Sequence, residues 1–208
     1  MGEHFLVVED DVRVARHIAR DLEKSRRKVL IAHTVQEACA MGNSLREMTG
    51  AVVDLSLPDG TGFDVARYLL ARIPGLPVLV ITATRSAELV NACQLLGVEL
   101  VLKPTPRDNL QVFAERASWL KRVSNDQIAR YAAQYALEHD LSRREQDVLG
   151  LALQGLGRRE ICEKLGRPEP TVKMQIRAML RKTKKPTLGA LVTHILMDAW
   201  LARNAWQS

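Results

Sequence analysis

Phe5-Leu6-Val7-Val8-Glu9-Asp10 and Ala51-Val52-Val53-Asp54 are two short apolar runs that each end in carboxylates. Continuous apolar runs of this length are typical of strands buried on both faces of a parallel sheet. Two later apolar runs end in Thr82 and Lys103. In a parallel sheet the C-terminal strand ends share one edge, where ligands bind. We therefore expect five residues to converge at that edge: Glu9, Asp10, Asp54, Thr82 and Lys103.

The first half of the chain repeats a strand followed by a helix five times. The second strand is predicted over 29–32, and Thr34 with Glu37 forms a capping box at the start of the next helix. Pro58-Asp59-Gly60-Thr61-Gly62 is dense in turn residues. Five such units with buried strands indicate an α/β doubly wound, five-stranded parallel sheet.

Charge divides the chain into unlike parts. Its 208 residues, 47% apolar and 26% charged, fit two modest globular domains better than one large domain. Residues 1–106 carry 12 Lys and Arg against 13 Asp and Glu, whereas residues 141–208 carry 13 against 6. The basic excess lies between 158 and 185 and is typical of a surface for nucleic acid or acidic membrane.

The expected location is the cytoplasm, with no membrane partner. No apolar run reaches the roughly 18 residues that span a bilayer, and the first residues lack the pattern of a signal peptide. Cys39, Cys93 and Cys162 show no CxxC spacing. They are expected to be small buried hydrophobic residues, not a disulfide or zinc set.

The polar strand ends suit phosphoryl transfer to an aspartate. A carboxylate can attack phosphorus and form an acyl phosphate, a reaction that needs mainly positioning and charge stabilisation. Lys103 would pair with phosphoryl oxygens, and Thr82 would hydrogen-bond them. The oxygen ligands assigned to Mg²⁺ are Glu9, Asp10, Asp54 and the backbone carbonyl of Ser56. Taken alone, Glu9-Asp10 has the alternative interpretation of a helix N-terminus whose dipole is complemented by carboxylates.

Four motifs together resemble the receiver domain of two-component response regulators, over residues 4 to about 120. They are Val7-Val8-Glu9-Asp10-Asp11, Asp54-Leu55-Ser56-Leu57-Pro58-Asp59-Gly60-Thr61-Gly62, Ile81-Thr82-Ala83 and Lys103-Pro104. The resemblance implies that Asp54 accepts phosphate from the phosphohistidine of a sensor histidine kinase, with Mg²⁺. It also implies a cis bond between Lys103 and Pro104 and the strand order 2-1-3-4-5.

Leu100 departs from the pattern of that family. The family usually has an aromatic switch residue three positions before the lysine, which turns inward when the Thr or Ser engages phosphate. With Thr82, Leu100 therefore occupies the switch position. Because leucine has no hydroxyl to gain or lose a partner, we infer that coupling from phosphorylation to the distal face is weak or altered.

Past Pro106 the sequence pattern is helical. Residues 108–139 contain no Gly or Pro and predict a helical connector. One face of it either packs against a domain or forms a dimer helix: Ile128, Tyr131, Ala132 and Tyr135. Ser142 and Glu145 form a further capping box that begins an all-helical domain. The predicted domains are a receiver at 1–120, a linker at 121–140 and a DNA-binding domain at 141–208.

A basic amphipathic helix is predicted from Thr171 to Lys182. Considered alone, it is either a solvated helix of a small bundle or a reader of the DNA major groove. It belongs to a set of motifs that resembles the LuxR/NarL-type helix-turn-helix over about 141–203: Leu141-Ser142-Arg143-Arg144-Glu145-Gln146-Asp147-Val148-Leu149, Gly155-Leu156, Glu160-Ile161-Cys162, Leu165-Gly166 and Thr171-Val172-Lys173.

This second resemblance implies binding to double-stranded DNA by a homodimer. The residues that would face base edges are Lys173, Met174 and Arg177. The phosphate-side candidates are Arg158, Arg159, Thr171, Arg181 and Lys182. The last helix would help form the dimer through Leu191, Ile195, Ala199 and Trp200. If roughly four phosphates are neutralised, log K falls with log salt at a slope near −3.6.

Three residues depart from the helix-turn-helix pattern. Arg167 replaces a usual buried aliphatic residue, Pro168 stands where the family favours a Ser cap, and Pro170 enters the first turn. Proline is tolerated there because the first N–H groups of a helix lack helical partners. We expect the fold to persist and the approach to DNA to differ.

The sequence therefore predicts a response-regulator transcription factor, phosphorylated on Asp54. It is not an enzyme beyond its own phosphorylation and dephosphorylation, because no second nucleophile–base set or cofactor loop appears. The main alternative is a DNA-binding regulator whose receiver acts as a phosphorylation-independent dimerisation or partner-binding module. A phosphotransfer relay intermediate, with the basic domain docking an acidic protein, fits the helix-turn-helix poorly.

Overall fold

The computed structural model describes residues 2–23, 27–41, 48–73, 75–123 and 125–205. The chain divides into two compact units, Met1–Lys121 and Arg122–Ser208. The strands are β1 (Glu3–Val8), β2 (Arg27–Ala32), β3 (Met48–Asp54), β4 (Ser56–Leu57), β5 (Gly60–Thr61), β6 (Val78–Thr82) and β7 (Glu99–Leu102). The helices are α1 (Val12–Leu22), α2 (Val35–Ala40), α3 (Gly62–Arg72), α4 (Ala87–Leu96), α5 (Arg107–Arg122), α6 (Asn125–Glu138), α7 (Arg143–Leu153), α8 (Arg158–Leu165), α9 (Glu169–Thr183) and α10 (Leu188–Ala205). None of the helices within the described ranges combines the length and the apolar character needed to cross a membrane.

The sheet of the first unit has the order β2-β1-β3-β6-β7, and every neighbouring pair is parallel. The two-residue strands β4 and β5 pair only with each other, as an antiparallel hairpin. Counted without that hairpin, the sheet strands run in the order 2-1-3-4-5. The predicted doubly wound α/β fold and its strand order are therefore confirmed.

Alternate residues of the central strand β1 enter two separate apolar cores. On one face, Phe5 and Val7 pack with α1 and α5, and the ring of Phe5 meets that of Phe113 edge to face at a centroid distance of 6.4 Å. On the other face, Leu6 and Val8 pack with residues of α2, α3 and α4. Burial on both faces explains the continuous apolar runs in the sequence and holds the strand ends at one rigid edge.

The second unit is a bundle of α6 to α10 around its own apolar core. Its fully or nearly fully buried side chains include Val148, Leu149, Ile161, Val172 and Met179. Helix α6 packs against α7 and α10, with Tyr135 and Ala136 buried. Of the two alternatives for the connector, the structure therefore shows packing against the helical domain.

The predicted dimer face of α10 lies inside this bundle. Leu191, Ile195 and Ala199 expose 0%, 2% and 2% of their surface, and Trp200 is half-buried. The cause is that α10 packs against α6, α7 and α9 together. In this conformation the three covered residues belong to the core of one chain, and their assignment to a dimer contact stays a prediction.

A buried carboxylate ties α7 to α9. The amide of Ser142 donates to Glu145 Oε2 at 2.7 Å, and the amide of Glu145 donates to Ser142 Oγ at 3.4 Å, which confirms the predicted capping box. Lys182 Nζ lies 2.7 Å from the same Glu145 oxygen. Burial raises the pKa of Glu145, but the hydrogen bonds from Lys182 and Ser142 outweigh it, so the pKa lies below its ordinary value.

Glu145→Gln tests this link between α7 and α9. Because the pKa of Glu145 is lowered in the folded state, its charge stabilises the fold above the unfolded-state pKa, and this stabilisation is lost as the pH falls through the folded pKa. We expect Glu145→Gln to lower the free energy of unfolding of the second unit by about 1–2 kcal/mol at neutral pH. The difference should vanish at pH values below the folded pKa. Hydrogen exchange of the α7 and α9 amides measures both quantities.

Glu163→Gln is the matched control, because its pair with Arg159 spans 3.5 Å and both side chains are more than two-thirds exposed, at 94% for Arg159 and 69% for Glu163. Exposed pairs of this kind contribute little to stability. Equal destabilisation by the two substitutions at neutral pH would contradict the assignment to Glu145.

Candidate functional site

Three carboxylates meet at the C-terminal edge of the sheet. One oxygen from each of Glu9, Asp10 and Asp54 lies within 4.8 Å of the others. Glu9 and Asp54 are buried, whereas Asp10 is exposed. The parallel pairing of β1 with β3 brings these residues together, because both strands end at this edge.

Lys103 lies between two of these carboxylates. Its Nζ is 2.8 Å from Glu9 Oε2 and 2.8 Å from Asp54 Oδ2. Burial lowers the pKa of the Lys103 ammonium, but the two carboxylates more than offset this and raise it above its ordinary value. Burial and the nearby Asp54 charge raise the pKa of Glu9, despite the hydrogen bond from Lys103. The site therefore holds a fixed positive charge beside Asp54. The Lys103–Pro104 bond is cis, as the resemblance implied.

The donor set of this edge suits a hard divalent cation. Mg²⁺ prefers oxygen ligands and usually keeps several waters; the three carboxylates supply the oxygens, and the exposure of Asp10 admits water. Ser56 directs its amide to Asp54 Oδ1 at 3.4 Å. Its carbonyl stays a predicted ligand.

The loop after Asp54 packs closely behind that residue. A Cβ atom at Gly62 would collide with the carbonyl oxygen of Asp54, so this close approach requires glycine. Asp59 of the same loop accepts hydrogen bonds from the amides of Gln36 and Val35 at 2.9 and 2.8 Å, which lower its pKa. Neither the close packing of Gly62 nor the hydrogen bonds accepted by Asp59 could be predicted from the residue types alone. The density of turn residues in the loop is the available signal.

Thr82, at the end of β6, is buried and its hydroxyl is already hydrogen-bonded. Thr82 Oγ1 donates to the carbonyl oxygen of Thr84 at 3.2 Å and accepts from the Thr84 amide at 3.1 Å. A phosphoryl group on Asp54 therefore has to compete with a local backbone partner for this hydroxyl.

Leu100 on β7 is half-buried and lines an open cavity of about 720 Å³. The same cavity is lined by Cys93, Val98 and Lys103, so it adjoins the phosphorylation edge through the lysine. Burial raises the pKa of the Cys93 thiol to about 11, as expected of a cysteine that acts as a buried hydrophobic residue.

Helix α9 presents a basic face to solvent. Its exposed residues include the three predicted base-facing side chains and one phosphate-side candidate: Lys173, Met174, Arg177 and Arg181. Met174 is 64% exposed. The inward face carries Val172, Gln175, Met179 and Thr183.

Lys182 does not belong to this basic face. Its Nζ donates to Glu145 Oε2 at 2.7 Å and to the carbonyl oxygen of Asp140 at 2.9 Å. These two bonds use two of the three ammonium protons of a side chain that is 38% exposed, so a phosphate contact by Lys182 stays a prediction and would compete with the pair to Glu145. The two charged partners are 37 positions apart, and a helical pattern alone cannot reveal the pairing.

Arg158, Arg159 and Thr171 lie in the first turns of α8 and α9. Arg158 pairs with Glu169 at 3.1 Å and Arg159 with Glu163 at 3.5 Å. These exposed pairs cost little to exchange for phosphate contacts. Thr171 is half-buried.

Two protein families match the chain, one for each unit. The response regulator receiver domain matches residues 5–115, and the luxR family of bacterial regulatory proteins matches residues 139–194. The receiver match alone covers more than half of the chain.

Known proteins resemble the chain over one or both units. The DNA-binding transcriptional activator DevR/DosR of Mycobacterium tuberculosis (strain ATCC 25618 / H37Rv) is 31% identical over 160 residues, which are 73% of this chain and 73% of that protein. The acid tolerance regulatory protein ActR of Rhizobium meliloti (strain 1021) is 34% identical over 106 residues, and the match spans 50% of this chain and only 54% of ActR. Full-length FixJ from B. japonicum has the same fold, with 20% identity, a TM-score of 0.52, and coverage of 96% of this chain and 98% of that one. The chain thus belongs to the response regulators, with a receiver domain followed by a LuxR-family helix-turn-helix domain.

Proposed function

We propose that phosphorylation of Asp54 by a sensor histidine kinase switches this transcription factor. The observation that carries the proposal is the position of Lys103, whose Nζ is 2.8 Å from both Glu9 and Asp54. A helix N-terminus that merely attracts acidic residues needs no lysine from a distant strand. A nucleophile that receives an anionic phosphoryl group does need such a charge.

The reaction transfers a phosphoryl group between two side chains. A carboxylate oxygen of Asp54 attacks the phosphorus of a phosphohistidine, and the bond between phosphorus and the imidazole nitrogen breaks. The nitrogen keeps the electron pair and takes up a proton, while Asp54 becomes an acyl phosphate. Lys103 pairs with a phosphoryl oxygen as a point charge. Hydrolysis of the acyl phosphate restores the Asp54 carboxylate and releases inorganic phosphate.

Glu9, Asp10 and Asp54 are the side chains that would hold Mg²⁺, with the Ser56 carbonyl as a further predicted ligand. When bound, the ion supplies charge neutralisation for the phosphoryl oxygens. Three carboxylates against one lysine leave the edge negative, so an anionic phosphoryl group is repelled unless a cation offsets that charge.

The signal leaves the site through Thr82. Its hydroxyl exchanges the Thr84 carbonyl for a phosphoryl oxygen, and the neighbouring cavity lined by Leu100 repacks. The Leu100 side chain contributes only apolar contacts to that repacking, so it neither forms nor breaks a hydrogen bond when Asp54 is phosphorylated.

The second candidate function is a receiver that acts mainly as a phosphorylation-independent dimerisation or partner-binding module. Two observations favour it. The Thr82 hydroxyl is already satisfied by Thr84, and Leu100 replaces the aromatic residue expected at the switch position.

The C-terminal unit is proposed to read double-stranded DNA with α9. Lys173, Met174 and Arg177 would contact base edges, because they share the exposed face of the helix. The phosphate contacts would come from Arg158, Arg159, Thr171 and Arg181. A homodimer on a two-fold site is the expected bound form. Because Leu191, Ile195 and Ala199 are covered in this conformation, their proposed dimer contact requires a rearrangement of the helices around α10.

Phospholabelling tests the assignment of the nucleophile. Wild type incubated with acetyl phosphate and Mg²⁺ should gain one phosphoryl group by intact-mass spectrometry, and Asp54→Ala should gain none. Removing Mg²⁺ with a chelator should slow labelling by at least about tenfold, because the phosphoryl charge is then uncompensated. Asp108→Ala, which removes an exposed carboxylate from the first turn of α5, should label like wild type.

Unlabelled wild type, or equal labelling of Asp54→Ala, would contradict the first proposal. Molecular mass and DNA affinity of the labelled protein then separate the two candidates. A change in either supports the switch, and no change in either supports the phosphorylation-independent module.

Salt-dependent DNA binding tests the assignment of phosphate and base contacts in the second unit. If Arg158, Arg159 and Arg181 neutralise about three phosphates, log K should fall with log salt at a slope of about −2.7. Arg181→Ala should weaken binding to all sequences and reduce the magnitude of that slope by about 0.9. Lys173→Ala with Arg177→Ala should instead weaken binding to a selected sequence by about 1–3 kcal/mol for each side chain that pairs with a base.

Arg144→Ala, an exposed arginine of α7 outside this face, is the control for general loss of charge. If Lys173→Ala with Arg177→Ala affects selected and unrelated duplexes equally, α9 does not read the bases.

A further inference from the structure

Arg167 connects the turn between α8 and α9 to two helices. Its Nη2 donates to Asp147 Oδ2 on α7 at 2.8 Å, and its Nη1 donates to Gln175 Oε1 on α9 at 3.4 Å. Its own amide donates to the carbonyl oxygen of Cys162 at 3.1 Å. The backbone and the guanidinium of this residue are therefore both held in place, and the planar fork of the guanidinium joins α7 to α9 in a defined direction.

Gln175 is the α9 residue through which Arg167 controls the direction of the exposed face of the helix. It is only 7% exposed and points into the bundle. Residues two positions apart on an α-helix are rotated by about 200°, so Lys173 and Arg177 both lie nearly opposite Gln175. Holding the Gln175 amide therefore fixes the direction in which Lys173 and Arg177 point.

The apolar contacts on the inward face of α9 constrain rotation less, and the other directional link to α7, from Lys182 to Glu145, lies in the last turn of the helix. Val172 and Met179 are fully buried apolar side chains, and hydrophobic contacts are non-directional. A hydrogen bond to a planar guanidinium weakens steeply when its angle changes. The Arg167 link is thus suited to select one rotation of α9 among several that bury similar apolar area.

The same link contributes little to the stability of the fold. The Arg167 and Asp147 side chains are 26% and 40% exposed, and partly solvated ion pairs add little net free energy. An apolar residue of similar length at 167 would retain packing. Orientation is therefore the property that distinguishes arginine from such a residue here.

We propose that Arg167 is a positioning residue for sequence discrimination, which fixes the rotation of α9 through Asp147 and Gln175 without itself contacting DNA. The inference rests on the proposed function of α9 as the base-reading helix. It adds that the precision of base reading depends on a side chain outside that helix.

The test uses the full chain and Arg167→Met. Wild type is first used to select a duplex from a randomised library, and dissociation constants are then measured for that duplex and for a scrambled one. Arg167→Met should reduce the ratio of the dissociation constant for the scrambled duplex to that for the selected duplex by about tenfold. A change of this size is within the discrimination that one aligned side chain supplies. Affinity for the scrambled duplex and the thermal unfolding midpoint should stay close to those of wild type.

Two variants make the outcome specific. Arg144→Met removes an equal charge from an exposed site on α7 and should keep the wild-type ratio. Asp147→Arg with Arg167→Asp restores an ion pair of reversed direction and should bring the ratio part of the way back from its Arg167→Met value. If Arg167 served only the stability of the fold, Arg167→Met would instead lower the unfolding midpoint and reduce the affinity for both duplexes equally. This result would overturn the proposal.

The binding measurements distinguish failure of this inference from failure of the proposed function. If wild type selects a sequence and Arg167→Met discriminates equally well, the inference fails while α9 can still read DNA. If wild type selects no sequence, the proposed base-reading function fails and the inference fails with it.

Discussion

The ammonium of Lys103, 2.8 Å from carboxylates of two different strands, is the interaction on which the receiver depends. Buried like charges repel, and a group of opposite charge is needed to keep both ionised. The partners lie 94 and 49 positions from the lysine, so only the rigid edge of a sheet buried on both faces can hold all three. The same segments therefore supply both the apolar strands that form the sheet and the charged residues that end those strands.

The helical domain uses ion pairs for a different purpose. Glu145 with Lys182, and Asp147 with Arg167, both join α7 to the region of α9. Each of these cations lies beside a carboxylate that offsets part of its charge. The basic excess of residues 158–185 therefore overstates the charge available for phosphates, because two of its cations are paired with carboxylates of α7.

Sequence alone was sufficient for most of the receiver. Short apolar runs that end in polar residues identify the strands and their shared edge, because the periodicity of a doubly buried strand is a local property. The sequence alone could not reveal the partner of Lys182 or the burial of Leu191 and Ile195. Both depend on which neighbouring helix covers a given face, and helical spacing reveals that a face is apolar or basic without revealing what lies against it. The tight approach of Gly62 to Asp54 is likewise a property of two segments packed together.

The satisfied hydroxyl of Thr82 has a consequence for the shape of the response. Exchanging a neutral hydrogen bond to Thr84 for one to a charged phosphoryl oxygen gains only about 1–2 kcal/mol. Reversing a population from 1:99 to 99:1 takes about 5.5 kcal/mol. Where this exchange is the sole contribution, phosphorylation shifts the balance of conformations by roughly five- to thirtyfold. Such a receiver gives a graded response, whose output follows the phosphorylated fraction and the intrinsic balance of the unmodified chain together.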